Sequence, residues 1–168
     1  MSDNRETTFE DDEIIVLKID AKGRIFYVNR VFMGVANYPE QALLGEQHSM
    51  IRHPDMPQGI VRWMWNTLEQ GQEFLGYVKN ISSGGRFFWA FTSITPDWGM
   101  DDELLGYHYV GRKVNASALK VIEPLYREML GLERAQQLEK DAERVSIELL
   151  KKRLTASSTS YDEFVLSL

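Results

Sequence analysis

An α+β domain of roughly 100 residues, with a long amphipathic helix after it, is the fold class this sequence predicts. Three observations predict it. Two short β-branched and aromatic runs flank a glycine turn near the N-terminus, and three more such runs lie between Glu73 and Arg112. Beyond Val114 the chain turns rich in Ala, Glu, Lys, Leu and Arg, with apolar residues mostly three and four apart. The five β-rich runs give an antiparallel sheet, and the segment between the second and the third supplies short helices that cover one face.

The first run, Ile14 to Asp20, and the second, Arg24 to Asn29, surround Ala21-Lys22-Gly23 and read as a hairpin. Asn29 suits the N-cap of a short helix from Arg30 to Ala36, where Phe32, Val35 and Ala36 form an apolar face. Pro39 fits the first turn of another short helix closed by Gly45. From Met56-Pro57 to Gln70 the positions Ile60, Val61, Met64, Trp65 and Leu68 recur at helical spacing, and Gly71 stops the pattern. Glu73–Ile81, Arg86–Thr95 and Leu104–Arg112 then form a meander, separated by Ser82-Ser83-Gly84-Gly85 and by Pro96 to Asp102. In the last segment Leu125, Met129, Leu132, Ala135, Leu138, Ala142, Val145 and Leu149 predict one long helix. The two successive steps of three at 132, 135 and 138 break a strict heptad. Pro124 sits in its first turn or kinks it. The expected organisation is an acidic tail over 1–13, a domain over 14–114, a signalling or dimerisation helix over 115–154, and a hinge with an apolar tail over 155–168.

Composition narrows the function. The net charge is −6, and residues 1–13 hold one Arg against six acids, while 14–114 hold ten bases and ten acids. With no basic stripe to neutralise phosphates, neither nucleic acid nor an anionic membrane is an expected partner. No apolar run approaches the ~18 residues a spanning helix needs, so a cytoplasmic protein without membrane insertion is expected. The chain has no cysteine, which removes disulfides, thiolate metal sites and cysteine nucleophiles. No nucleophile with its base, no acid–base pair and no phosphate-binding glycine loop is recognisable, so an enzyme is not expected. His48, His53 and His108 have no helical metal-ligand spacing with carboxylates, and no metal is expected.

The run Gly45-Glu46-Gln47-His48-Ser49-Met50-Ile51-Arg52-His53-Pro54-Asp55-Met56-Pro57, followed by Trp65, Leu68, Gly71 and Gly76-Tyr77-Val78-Lys79-Asn80, carries a family resemblance. It resembles the PAS domain of bacterial aerotaxis receptors, whose pattern is approximately G-x-x-H-x-x-x-R-H-P-D-M-P, a Trp-containing helix, and G-x-V-K-N. Gly23, Val28-Asn29, Phe88-Trp89 and Thr95-Pro96 fall in the same register. The resemblance spans about residues 14–114 and implies a five-stranded PAS sheet whose short helices form a ligand pocket. It also implies bound FAD, with redox or oxygen status passed on through the C-terminal helix.

Carried over by position, the resemblance implies Arg52, His53 and Asp55 as flavin contacts, with Trp65, Phe74, Asn80, Trp89 and Ser93 at the pocket. The chemistry is suitable: Arg52 offers a fork for phosphate or carbonyl oxygens, His53 donates to an acceptor, and Asp55 accepts from a hydroxyl or a backbone N–H. The plain structural alternative makes Asp55 the cap of the following helix, paired with Arg52. Trp65 and Trp89 fit pocket lining or core equally. Phe74 stands where the family often has Trp, Ile81 where Arg is common, and Phe91 and Ser93 where Arg and Asn are usual. These exchanges trade donors for apolar surface. Haem, ligated by one of the three histidines, is the alternative cofactor, and a cofactor-free interaction module is the alternative function. The partners expected are a second copy of the chain and a separate chemoreceptor, kinase or cyclase.

Overall fold

A computed structural model of the protein describes residues 5–168. The first four residues of the expected acidic tail lie outside the described residues. Among the described residues five strands form, β1 Ile14–Asp20, β2 Ile25–Val28, β3 Phe74–Ile81, β4 Phe87–Trp98 and β5 Leu104–Arg112, in one sheet of order β2-β1-β5-β4-β3 with every pairing of these strands antiparallel. The helices are α1 Arg30–Ala36, α2 Gln58–Glu69, α3 Ala116–Arg134, α4 Glu139–Ala156 and α5 Tyr161–Leu166. They fall into two compact units, one running to His53 and resuming over Gln70–Val114, the other made of Pro54–Glu69 and Asn115–Leu168.

In the sheet unit the predicted α+β architecture is present. Gly23 turns the first hairpin at φ +80°, a conformation costly for a residue with Cβ. Asn29 caps α1, its side chain accepting from the Phe32 N–H at 3.0 Å. Strand pairing fixes two faces. Ile15, Leu17 and Ile19 of β1, Phe74 and Asn80 of β3, Phe88, Ala90, Thr92 and Ile94 of β4, and Tyr107 and Tyr109 of β5 share the inner face. Nearly all of them are buried, and Phe32 of α1 meets Phe88 edge-on at 6.2 Å. β4 runs on through Pro96 to Trp98, beyond the predicted end at Thr95. The reason is local: β3 pairing stops at Ile94, so the missing N–H of Pro96 falls on an edge that needs none. Part of the expected tail is held as well. The Thr7 N–H donates to the Phe87 carbonyl at 2.7 Å, Phe9 is buried, and Asp11 meets Lys113 at 3.0 Å.

The helical unit departs from the predicted single long helix. Residues 116–156 form two helices divided at 135–138, and Pro124 lies inside α3. The buried face of α3 is Ala118, Ile122, Tyr126, Met129 and Glu133, so of the predicted stripe only Met129 is buried there, and Leu132 and Leu138 are exposed. α4 buries Ala142, Ser146, Leu150 and Leu154, four residues apart. α3 and α4 run antiparallel, with Glu128 paired to Arg153 and a groove of about 350 Å³ bordered by Val121, Leu125, Leu150, Leu154 and Phe164. The tail after the hydroxyl-rich hinge is helical. Ser160 and Glu163 make a reciprocal capping box at α5, which buries Tyr161 and Val165 and leaves Leu166 exposed. Among the described residues no helix is long and apolar enough to cross a membrane.

Candidate functional site

In the sheet unit the motif segment is threaded beside the strands by backbone bonds. The His48 N–H donates to the Gly23 carbonyl at 3.0 Å, tying the segment to the first hairpin. Four residues on, Arg52 bridges Asn80 in antiparallel fashion and the His53 N–H donates to the Lys79 carbonyl at 3.1 Å. Arg52, His53 and Asn80 are thereby brought together at the edge of β3, where Asn80 is buried on the inner face and Arg52 is exposed. The His53 ring lies 5.8 Å from that of Phe87, edge-on.

A polar cluster on the inner side adjoins this edge. The His48 ring lies 5.9 Å from Tyr109, and its Nδ1 is 3.2 Å from the Gly23 carbonyl. Burial holds the His48 imidazole below its ordinary pKa against the Gly23 hydrogen bond, with the Arg52 charge acting in the same direction as burial. The Tyr109 hydroxyl is buried and has no hydrogen-bond partner. Burial pushes its pKa up, and the nearby Arg52 charge pulls the other way. An unpaired buried hydroxyl costs on the order of 1–3 kcal/mol, so it marks a place where an acceptor would be welcome. Strand alternation in Gly106-Tyr107-His108-Tyr109 puts Tyr107 and Tyr109 on one side of β5, and it is the signal in the sequence that points to Tyr109.

The remaining expected residues separate. Phe74 is on the inner face and almost wholly buried. Trp89 and Ser93 are on the opposite face, because their neighbours Phe88, Ala90, Thr92 and Ile94 point inward. The pairing therefore does not bring Trp89 and Ser93 together with Phe74 and Asn80. Ser93 Oγ donates to the Glu73 carboxylate, and the Phe91 ring, two residues away on the same outer face, lies tilted at 4.9 Å from that of Tyr77. Donor loss at Phe91 and Ser93 accordingly leaves the inner face unchanged. His108 also points outward, its Nε2 3.4 Å from Asp97 Oδ2. Among the described residues no group of three or more His, Asp or Glu could hold a metal.

Asp55 and Trp65 belong to the helical unit. Glu133 of α3 holds the start of α2, its two carboxylate oxygens accepting from the Gln58 and Gly59 N–H groups at 3.0 Å each, and Asp55 meets Arg134 at 3.6 Å. Trp65 is half-buried on α2. Sequence reading missed Glu133, although it continues the buried steps Ile122, Tyr126 and Met129.

A model described as PAS fold matches residues 25–108. The chain is 31% identical over 123 residues to the aerotaxis receptor of Escherichia coli (strain K12), covering 73% of this chain and 24% of the receptor. It is 27% identical over 111 residues to the nitrogen fixation regulatory protein of Klebsiella pneumoniae, covering 66% and 22%. The chain thus spans about a quarter of the length of these relatives. Among solved structures, the light-state LOV domain of the blue-light photoreceptor Aureochrome1 superposes with a TM-score of 0.58 at 19% identity, covering 68% of this chain and 90% of that one. A PAS domain from Colwellia psychrerythraea gives 0.55 at 19% identity, covering 60% and 86%. These two likenesses concern the fold. With strand order, motif segment and family match in agreement over residues 25–108, the chain belongs to the PAS fold family.

Proposed function

We propose that the protein is a cytoplasmic PAS sensor that binds a flavin, FAD, and reports its redox state to a separate signalling protein through the C-terminal helices. The observation that carries this reading is the buried, unpartnered Tyr109 hydroxyl beside His48 and Arg52. A flavin presents carbonyl and phosphate oxygens, and this corner supplies a hydroxyl donor, an imidazole and a guanidinium fork. The residues present fit such a group. Arg52, Asn80 and Tyr109 would hold its acceptor atoms, Phe74 would supply apolar lining, and His53, whose ring packs on the outward Phe87, stays in the proposal with Asp55 and Trp65 on the resemblance alone. The flavin, when bound, supplies the redox chemistry. The chain's own residues bind, orient and exclude water. Similarity to the aerotaxis receptor of Escherichia coli supports a role as sensor rather than catalyst.

The test is the absorbance of the purified protein before and after addition of FAD. Bands at about 370 and 450 nm that persist after desalting are expected. Tyr109→Phe should weaken FAD retention on the order of tenfold or more, the worth of one good hydrogen bond in a buried site, without lowering the stability of the FAD-free protein. A colourless protein that takes up no FAD refutes the flavin, and a Soret band in its place assigns the corner to haem.

A further inference from the structure

The break between α3 and α4 lacks the residues that ordinarily make one. Ala135, Gln136, Gln137 and Leu138 include neither Gly nor Pro. α3 ends on Ala135 in ordinary right-handed backbone, and α4 begins on Leu138, which makes no side-chain cap bond and is exposed. Elsewhere the chain marks its helix starts: Asn29, Asn115 and Ser160 cap α1, α3 and α5 through their side chains.

α2 supplies what the joint lacks. Its first N–H groups are held by the buried carboxylate of Glu133, in the last turn of α3, and Asp55 just before it meets Arg134. One turn later Arg62 donates to both oxygens of Glu143, near the start of α4, at 2.9 and 3.2 Å. Between these ties Gly59 lies so close to Ser146 of α4 that a Cβ there would meet the Ser146 Oγ at 2.4 Å. α2 is bonded to both sides of the joint.

We propose that α3 and α4 are a two-state element, bent at 135–138 only while α2 splints them and continuous over about residues 116–156 when α2 lets go, with Glu133 as the latch. Straightening lets Ala135 to Leu138 join the helical ladder and exposes the faces that α3 and α4 bury on each other, which then need a second copy of the chain. α2 follows directly from Arg52-His53-Pro54-Asp55, so the chain itself links the motif segment to the latch. The inference does not depend on which ligand is bound.

Spin labels test it on the full chain, whose lack of cysteine makes labelling unambiguous. With Lys120→Cys and Lys151→Cys labelled, the bent form gives a separation of about 20–25 Å, two helix diameters, and a continuous helix gives about 46 Å. The otherwise unaltered chain should show the short distance. Glu133→Ala with Arg62→Ala should add a population at the long one. Glu139→Pro should abolish that population and leave the bent form intact, because residue 139 is the first of α4 and follows an extended Leu138, whereas a continuous helix would carry Pro in its interior. If the double variant does not fold, Glu133→Gln is measured in its place. A folded latch variant that shows only the short distance overturns the proposal, and so does a long distance that survives Glu139→Pro. No flavin enters the measurement, so a failure here leaves the ligand reading standing.

Discussion

The sheet unit and the helical unit are held together in different ways. On the sheet, burial repeats along the strands, and Ile19, Phe74, Phe88 and Ile94 have essentially no exposure. Each such side chain shares its contacts with many apolar neighbours, so stability there scales with volume. The helical unit relies on a few fitted points: Gly59 against Ser146, Glu133 on the amides of α2, and the Trp63 ring 5.3 Å from Tyr161. Geometry counts for more there than bulk. A PAS sheet can therefore tolerate apolar exchange better than its helical attachment tolerates a single methyl group.

Removing bulk from the sheet should have the largest effect. Phe88→Ala is expected to cost about 3–5 kcal/mol in urea unfolding, and a loss below about 1 kcal/mol would show that the inner face is not the common core. The matching experiment on the helical unit adds one carbon. Gly59→Ala should cost about 1–3 kcal/mol by overpacking, and adding Ser146→Gly should recover most of it, so additive losses in the double variant would remove the close approach as the cause.

Smaller effects separate local from global support. Ser160→Ala should cost about 1 kcal/mol and speed amide exchange over Tyr161–Leu166 while sparing the strands. Hydrogen bonds from the Ser160 backbone and side chain hold the Glu163 carboxyl below its ordinary pKa. The capping contribution is therefore full above the unfolded carboxylate range and disappears as pH falls through the depressed value. The Ser160→Ala difference should shrink with it. The smallest effect concerns His48. Its folded pKa lies below the ordinary 6.5, so the unfolded chain binds more protons between the two values and stability declines as pH falls below about 6.5. His48→Gln should flatten that decline in urea midpoints taken from about pH 7 to pH 5, and an unchanged slope would show that the imidazole is well solvated.

The sheet was legible because its boundaries carry local chemistry. Gly23 needs its positive φ, Asn29 caps the next helix, and the strands alternate, so the hairpin, the meander and even the common side of Tyr107 and Tyr109 follow from neighbours in sequence. Family positions alone could not tell the sheet's faces apart. The resemblance groups Trp89 and Ser93 with Asn80, and the register puts them outward. The bend after α3 was not legible, since nothing between Ala135 and Leu138 signals a stop and the partners that bend it lie far off in sequence. Periodicity counted on apolar residues selected Leu125, Leu132 and Leu138, whereas the buried row ends on a carboxylate, Glu133.

That carboxylate also sets an order of events during synthesis. The N–H groups of Gln58 and Gly59 find their acceptor 75 and 74 residues later in the chain. By the time Glu133 is made, all five strands, the last ending at Arg112, have already been polymerised. A nascent chain can therefore close its sheet while α2 still lacks its cap, and the helical unit must close a loop of that length around a finished neighbour in the sequence. Its assembly follows that of the sheet, with the start of α2 open to chaperones and proteases until residues 115–168 arrive.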